Sequence, residues 1–595
     1  MQYIIYGINR QAKDFLYVFQ DLDILCVTDD KIEKGNAGKG IWEKYSVRNL
    51  ADILTDYFDD NSNIYIVICG CDKTSKVKRL ESSGLIYGKD YRYEEDFFAE
   101  LDGALRISIL SGARTCRKGT DKGEGKDVWL EREKADSRKI AVWGTGNMCR
   151  YLMEKNLPWE VHTFIDSNKK ADTFLERPML LPDEITDWKK YYVIVAVADD
   201  SEIRERLCSQ GLREFADYIG YRELLALPSM LLRQTIFDSS YYDLNCSTMC
   251  NHLEILENGE TRSCCTTFVA QGLDNIFDKD IQELWHSRLH RILCLSTENR
   301  TFSFCDKSMC PLFVGKKQEK DVAPDEKPYR EIPPFPETLA LGYDPSCNLS
   351  CITCRKGLHY AKGEELDTIN RITDKVISEY LPHCRFLIMA GSGEVFVSPA
   401  YRKVYESETC NPQYIRLLSN GILFTPGNWE RFRAGKKAQI MLTVSVDAAS
   451  EETYGKIRRS GSFKQLKKNM EFAAELRKRG ELRYFRMNFV VQRENYREMV
   501  PFVEWGQSLG VDEIFFTKIL NWGTYTPEEF AGISMMEQDG ITPKQELKEV
   551  MEHPVMQSSI VDMGTIQFAH KIDEISTVEN YYMWELEKRG GKIFC

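Results

Sequence analysis

Short apolar runs alternate with amphipathic stretches along most of the chain. Residues 3–19, YIIYGINRQAKDFLYVF, and 139–155, KIAVWGTGNMCRYLMEK, share one pattern: an apolar strand, a glycine-containing turn and a helix. A second strand ending in acid follows each, ILCVTDD and HTFIDSN. Residues 65–85 (YIVICGCDKTSKVKRLESSGL) and 192–212 (YVIVAVADDSEIRERLCSQGL) also match each other. Strands alternating with helices predict two small parallel α/β units, over 1–105 and 139–229. The charged, glycine-bearing stretch 106–138 between them reads as a linker.

Residues 230–315 lack long periodic runs, and the polar, proline-rich 316–336 reads as a second linker. From 337 the alternation returns. Candidate strands are 338–344, 385–391, 414–421, 439–447, 483–492 and 513–520. Between the fourth and fifth, Phe463, Leu466, Met470 and Ala473 share one helical face and Gly480 ends it. Six such units over 337–565 predict an open, partial (β/α)6 TIM-like barrel, with its chemistry at the C-terminal ends of the strands. Residues 566–595, including NYYMWELEKRGG, read as a helical tail, and Cys595 as an incidental terminal thiol. The fold class is therefore α/β and multidomain.

Composition narrows the setting. At 595 residues, 43% hydrophobic and 29% charged, the chain is that of an ordinary soluble multidomain protein. A net charge of -12 argues against a nucleic-acid surface. The opening MQYIIYGINRQ has no signal-peptide pattern, and no apolar run is long enough to span a bilayer, so the expectation is a cytoplasmic protein with no membrane span. Nineteen cysteines in that compartment are not mainly disulfides. Cys69, Cys149 and Cys208 fall in apolar or helical patterns and read as small core residues. The others cluster.

The octet CNLSCITC places Cys347, Cys351 and Cys354 in the loop after the first barrel strand. A structural zinc needs four closed ligands, and Cys384, Cys410 or His359 could complete it. A [4Fe-4S] cluster needs only these three if its fourth iron is left open to a small molecule. Further along, GSGE (Gly391, Ser392, Gly393, Glu394) ends the second strand. SNG (Ser419, Asn420, Gly421) ends the third, and SVDAASEETYGKIRRSGSF opens after the fourth.

Cx3Cx2C with these motifs in order resembles the radical S-adenosylmethionine (SAM) superfamily across residues 337–565. Thr353 stands where many members have an aromatic residue, and Ser392 replaces one glycine of the Gly-Gly-Glu motif. The resemblance implies that Cys347, Cys351 and Cys354 hold a [4Fe-4S] cluster whose open iron binds SAM. It places Gly391, Ser392, Gly393 and Glu394 at the SAM amino group, and Ser419 and Asn420 with Ser445 and Asp447 at ribose and carboxylate. Arg458, or its neighbour Arg459, would meet the carboxylate. The implied chemistry is reductive cleavage to a 5'-deoxyadenosyl radical that takes hydrogen from a substrate C–H bond, with flavodoxin or ferredoxin as electron donor.

CSTMCNHLEILENGETRSCC and CDKSMCP supply Cys246, Cys250, Cys264, Cys265, Cys305 and Cys310. Asn-Gly within ENGE is a hairpin signal. C-x12-G-x4-C, a gap and C-x4-C resemble the SPASM/twitch auxiliary-cluster domain, with IQELWHSR as its helix, although that domain usually follows the barrel. The resemblance implies a second [4Fe-4S] cluster on Cys246, Cys264, Cys305 and Cys310, in an auxiliary domain over 230–315. A zinc knuckle on the same four remains the alternative, and Cys250 and Cys265 remain alternative ligands.

The two amino-terminal units resemble Rossmann-like modules attached to sugar-modifying and glycan-assembly enzymes. Gly144 and Gly146 lack the third glycine of a dinucleotide fingerprint, and Gly7 stands alone. Asp30 and Asp166 end second strands, where a ribose-binding acid could sit. Nucleotide binding and simple docking both stay open. The expected substrate is a small molecule, leaning to a sugar, nucleotide-sugar or glycan-linked group. A peptide maturase is the rival, and a non-catalytic iron-sulfur or zinc scaffold the reading from another class. No hydrogen donor can be named beyond the cluster.

Overall fold

The computed structural model describes the chain except residues 31–43, 61–63, 71–72, 95–96, 98–137, 154–159, 170, 198–199, 213–216, 222–223, 225–240, 242–243, 270, 306–309, 315–328, 390, 522–523, 538–539, 541 and 567–595. All but Arg138 of the linker expected at 106–138, most of that at 316–336, and all but Ile566 of the carboxy-terminal tail, Cys595 included, therefore lie outside the described residues. Two compact units form. One comprises Met1–Tyr242, Glu298–Ser303 and Asp321–Arg330; the other comprises Asp243–Thr297, Phe304–Lys320 and Glu331–Cys595.

The first unit contains two sheets. Strands β1 (Gln2–Tyr6), β2 (Asp23–Thr28), β3 (Ile64–Ile68) and β4 (Tyr91–Tyr93) are parallel in the order β2-β1-β3-β4. Ile4, Tyr6, Ile66, Ile68 and Leu80 form part of its core. Strands β5 (Lys139–Trp143), β6 (Thr163–Ile165), β7 (Thr173–Phe174), β8 (Arg177–Leu180), β9 (Tyr191–Val195) and β10 (Tyr218–Gly220) make the second, ordered β10-β9-β5-β6-β8-β7. Only β7–β8 is antiparallel. Strands bearing Ile, Val and Tyr on both faces suit such covered parallel sheets.

The acids at the ends of the second strands are engaged within their own turns. Asp29 accepts from the Ile8 amide at 3.1 Å, and Asp30 pairs with Arg79 at 3.0 Å. Lys76, buried, donates to the Tyr6 and Cys69 carbonyls at 3.2 and 3.1 Å, filling the space above the Gly7 turn. Asp166 accepts from the Thr145 and Asn168 amides at 3.1 and 2.8 Å. Each acid is a loop brace in this state.

The second unit is built on one nine-stranded sheet. Its strands are β11 (His252–Leu256), β12 (Thr261–Arg262), β13 (Thr338–Gly342), β14 (Phe386–Met389), β15 (Tyr414–Ser419), β16 (Gln439–Ser445), β17 (Leu482–Val491), β18 (Glu513–Lys518) and β19 (Val561–Asp562). The six expected strands are β13 to β18, all parallel. The cysteine-rich segment does not stand apart from them. Its strand β11 pairs in parallel with β13, and β19 continues the far side, so eight strands run in one direction. An isolated β13 would expose a row of unpaired backbone groups at the sheet edge, and β11 covers it. The compact units also divide the segment expected at 230–315, with Glu298–Ser303 joining the first unit.

Burial alternates along the barrel strands. In β15, Ile415, Leu417 and Ser419 are buried while Tyr414, Arg416 and Leu418 are half-buried. β17 repeats this, and Phe489 meets Phe502 of the helix Met499–Leu509 with ring centroids 4.8 Å apart. The fully buried set therefore lies under the helices, and the half-buried set faces the barrel lumen. The helix Phe463–Lys478 buries Phe463, Leu466, Met470 and Ala473, with Ser462 as its N-cap and Gly480 at φ +77° just beyond its end.

Candidate active site

The three octet cysteines follow β13 at the mouth of the barrel. Cys347, Leu349 and Cys351 form a buried cluster with Cys354 and Ile422 against it. The loop is braced from several directions. Cys347 N donates to His359 O at 2.9 Å, Ile352 N to Ile457 O at 3.1 Å, and Tyr525 Oη to Ile352 O at 2.9 Å. Arg355, next to the last cysteine and buried, donates to Pro345 O at 2.6 Å and Ser392 O at 2.7 Å. It ties the cysteine loop to GSGE. Arg459 holds the same loop through Ser350 O at 2.8 Å and Arg355 O at 3.0 Å.

GSGE packs onto this loop without slack. A Cβ at Gly393 would come within 2.3 Å of Asp344 O and 2.7 Å of Ser346 O, both backbone atoms, so only glycine fits. Ser392 donates to Gly342 O at 2.7 Å, which gives the serine in the Gly-Gly-Glu position a pinning role. Glu394 is wholly buried and joins the next strand end, accepting from Ser419 Oγ at 2.9 Å and Asn420 N at 2.7 Å. Burial pushes its carboxyl up to about 7 against those donors. Asn420 in turn donates to Cys347 Sγ at 3.7 Å and Asn348 Oδ1 at 2.9 Å.

The fourth strand contributes a charged brace. Asp447 sits at φ +63°, a conformation aspartate tolerates better than most side chains. Its Oδ1 accepts from Val490 N at 2.8 Å and its Oδ2 pairs with Arg458 Nη2 at 2.6 Å. Arg458 Nη1 reaches Cys351 Sγ at 3.6 Å, and its Nε is buried without a partner. Of the two candidate arginines, Arg458 therefore faces the cysteines and Arg459 braces the backbone. Ser445 is half-buried at the end of β16, in register with Asn488.

The donor set fits an iron-sulfur cluster. Burial raises the Cys347 thiol to about 11 and raises Cys351 despite Arg458 beside it. Thiols held so high become thiolates on binding soft metal, which offsets their desolvation. Backbone and side-chain N–H groups of Leu349, Asn420, Arg355 and Arg458 already point at the three sulfurs. Of the suggested fourth ligands of a zinc site, two lie away from the mouth and the third, beside Cys347 through its backbone, has its ring on a carboxylate. Cys384 and Cys410 precede β14 and β15, at the opposite end of parallel strands from the mouth. His359 Nε2 contacts Glu365 at 2.9 Å.

The hairpin expected at ENGE is present, with β11 and β12 antiparallel and Asn258 and Gly259 both left-handed. Beyond it, Cys264 is raised well above the ordinary range by burial and by the sulfurs of Cys265, Cys310, Cys305 and Cys246. Cys265 lies within the field of Glu254 and shares a hydrogen bond with Thr267 Oγ1 at 2.8 Å. Among the described residues no three His, Cys, Asp or Glu side chains close on a single metal ion, at either cysteine group.

Residues 344–506, which carry the cysteines, GSGE, SNG, Asp447 and Arg458, match the radical SAM superfamily. Over these residues the chain carries a radical SAM domain. No curated protein sequence matches it. Among solved structures, Streptococcus suis SuiB bound to precursor peptide SuiA shares 16% identity, with 32% of this chain and 41% of that one covered and a TM-score of 0.25. TYW1 with a lysine-pyruvate adduct shares 19%, covering 36% and 74%, with a TM-score of 0.25. The AdoMet-bound anSMEcpe structure shares 19%, covering 31% and 51%, with a TM-score of 0.23. The chain spans about two-fifths of the length of the peptide-bound SuiB chain. Among the described residues no helix is long and apolar enough to cross a membrane.

Sequence reasoning named the three octet cysteines, GSGE and SNG, and missed Arg355, Tyr525 and Asn495. Arg355 had a signal, since it directly follows Cys354. Asn495, which donates to Asp447 O at 2.9 Å, lies far along the chain and had none.

Proposed function

We propose that the radical SAM domain acts on a substrate held in the barrel lumen below its mouth. When bound, a [4Fe-4S] cluster on Cys347, Cys351 and Cys354 would supply the electron that cleaves SAM to methionine and a 5'-deoxyadenosyl radical, which removes hydrogen from a substrate C–H bond. Asn420, Arg355 and Arg458 orient and hydrogen-bond the three sulfurs, an outer shell that tunes metal ligands. Asp447 holds Arg458 in place, and the unpartnered Arg458 Nε is left to meet a carboxylate. Ser445 and Asn488 stand at the rim between mouth and lumen. The observation that carries this reading is the convergence of GSGE, SNG and Arg458 on the octet sulfurs.

We further propose that Cys246, Cys264, Cys305 and Cys310 hold a second [4Fe-4S] cluster. The reach of the Cys246, Cys305 and Cys310 sulfurs to Cys264 supports it, and Cys265, which also lies near Cys264, has Thr267 as its own partner. For the substrate we favour a sugar, nucleotide-sugar or glycan-linked group. The braced acids of the amino-terminal modules leave them a docking role in this reading. A peptide substrate is the second reading, supported by the four gathered cysteines and their likeness to the SPASM/twitch pattern. An electron donor such as flavodoxin or ferredoxin is required in either case.

The deciding test is anaerobic reconstitution of the full chain, with iron, sulfide and deoxyadenosine measured for wild type and a Cys347/Cys351/Cys354→Ala variant. About eight irons falling to about four, with deoxyadenosine abolished, is the expected result. Zinc in place of iron, or no SAM cleavage under strong reductant, would return the chain to the scaffold reading.

A further inference from the structure

The lumen face of the barrel carries more charge than a packed interior should. Along β15 to β18 the strand register sets Arg416 beside Met441 and Met441 beside Tyr484. One step nearer the mouth, Thr443 stands beside Arg486 and Arg486 beside Glu513. Next come Ser445, Asn488 and Phe515, at the rim. All of these alternate with residues buried under the helices, so their side chains share the lumen.

Arg416 lies close enough to Arg486 there to disfavour its charge. Their compensation is incomplete. Arg486 stacks on Phe515 at 3.8 Å, donates to Asn488 Oδ1 at 2.8 Å and reaches Glu513 only at 3.7 Å. Glu513 is also bonded by Tyr484 Oη. Asp562, in register with Phe515, is exposed and accepts from Gly564 N. Glu513 acts on Arg416 only from a distance, and no carboxylate contacts it among the described residues. Its guanidinium lies 5.5 Å from the Phe386 ring, its Nε is buried without a partner, and it forms no ion pair among the described residues. Desolvation lowers the hold of both arginines on their protons.

A half-buried cation without a counter-ion costs folding stability, and binding sites are where proteins retain such a cost. Guanidiniums pair with oxyanions in a planar, two-pronged geometry that no neutral ligand matches. We propose that Arg416 and Arg486, with Tyr484 beside them, bind an oxyanion of the substrate, a phosphate or a carboxylate, deep in the barrel lumen. Arg416 lies three residues before Ser419 on β15, about 10 Å below the mouth at about 3.3 Å per residue. The anion would thus anchor the substrate several bonds from its reacting C–H. The proposal rests on the mouth being the reaction site, and it adds to that reading the charge of the substrate.

The test is calorimetric titration of the cluster-reconstituted full chain with inorganic phosphate and, separately, succinate, at fixed ionic strength set with chloride. Wild type should show saturable binding of at least one probe, phosphate alone indicating a phosphate-bearing substrate and succinate alone a carboxylate. Arg416→Gln and Arg486→Gln should each bind at least tenfold more weakly, with Arg416→Lys intermediate. In anion-free buffer Arg416→Gln should melt no lower than wild type, because it removes an uncompensated charge. No saturable binding of either probe, wild-type binding by either glutamine variant, or a lower melting temperature for Arg416→Gln would overturn the proposal. The titration contains neither SAM nor reductant. Failure of SAM cleavage would therefore sink the proposed reaction and leave this result standing.

Discussion

Arg458 donates to the Cys351 sulfur at 3.6 Å while its other terminal nitrogen pairs with Asp447 at 2.6 Å. Burial opposes the charge on this arginine, and Asp447 and Cys351 restore it. Lysine cannot serve both partners at once, because it lacks the planar fork. Arg458→Lys should lower deoxyadenosine formation about 10- to 100-fold, the usual effect of losing a partner of a metal ligand. Cluster content, read by iron analysis, should fall less. Wild-type turnover in this variant would mean that the arginine only packs.

Gly393 separates GSGE from the cysteine loop by nothing but a hydrogen. In Gly393→Ala the new methyl must displace Asp344 O or Ser346 O, and neither can move without moving Cys347. Iron should drop from about eight toward about four per chain, with the second cluster kept. Unchanged iron would show that the loop can yield.

Cys264 and Cys265 are adjacent but face different partners. Cys264→Ala should lose about four irons, and Cys265→Ala none. Loss of iron in the second variant alone would reverse the ligand choice.

Asp14 in the first unit accepts from Tyr329 Oη at 2.6 Å and Asn299 Nδ2 at 3.2 Å, yet burial raises its carboxyl to about 6. A raised folded-state value favours the protonated form. Its contribution to stability is therefore full below about pH 4 and lost as pH rises through about 6. The slope amounts to about 3 kcal/mol at most, from 1.36 kcal/mol for each pH unit of displacement. Asp14→Asn should remove that part of the pH dependence in denaturant melts between pH 4 and 7. An unchanged slope would place the carboxylate in contact with water.

The strands β13 to β18 were readable because each buries one face against helices and ends on a glycine or polar loop, a purely local pattern. The octet and the ENGE hairpin were readable for the same reason: ligand spacing and left-handed turns are set within a few residues. The placement of β11 beside β13 was not, since the pairing joins segments with more than eighty residues between them and depends on which strand needs an edge covered. Nor could sequence choose between Arg458 and Arg459. One residue's shift along the chain turns a side chain from cluster to backbone, and only the packed loop shows which way each points. The pairing of Arg416 with Arg486 is likewise a product of register between non-adjacent strands. Sequence determined the spacing of the cysteines and the strands that form the mouth; tertiary structure decided which charges surround them, because electrostatic partners are chosen by distance in space.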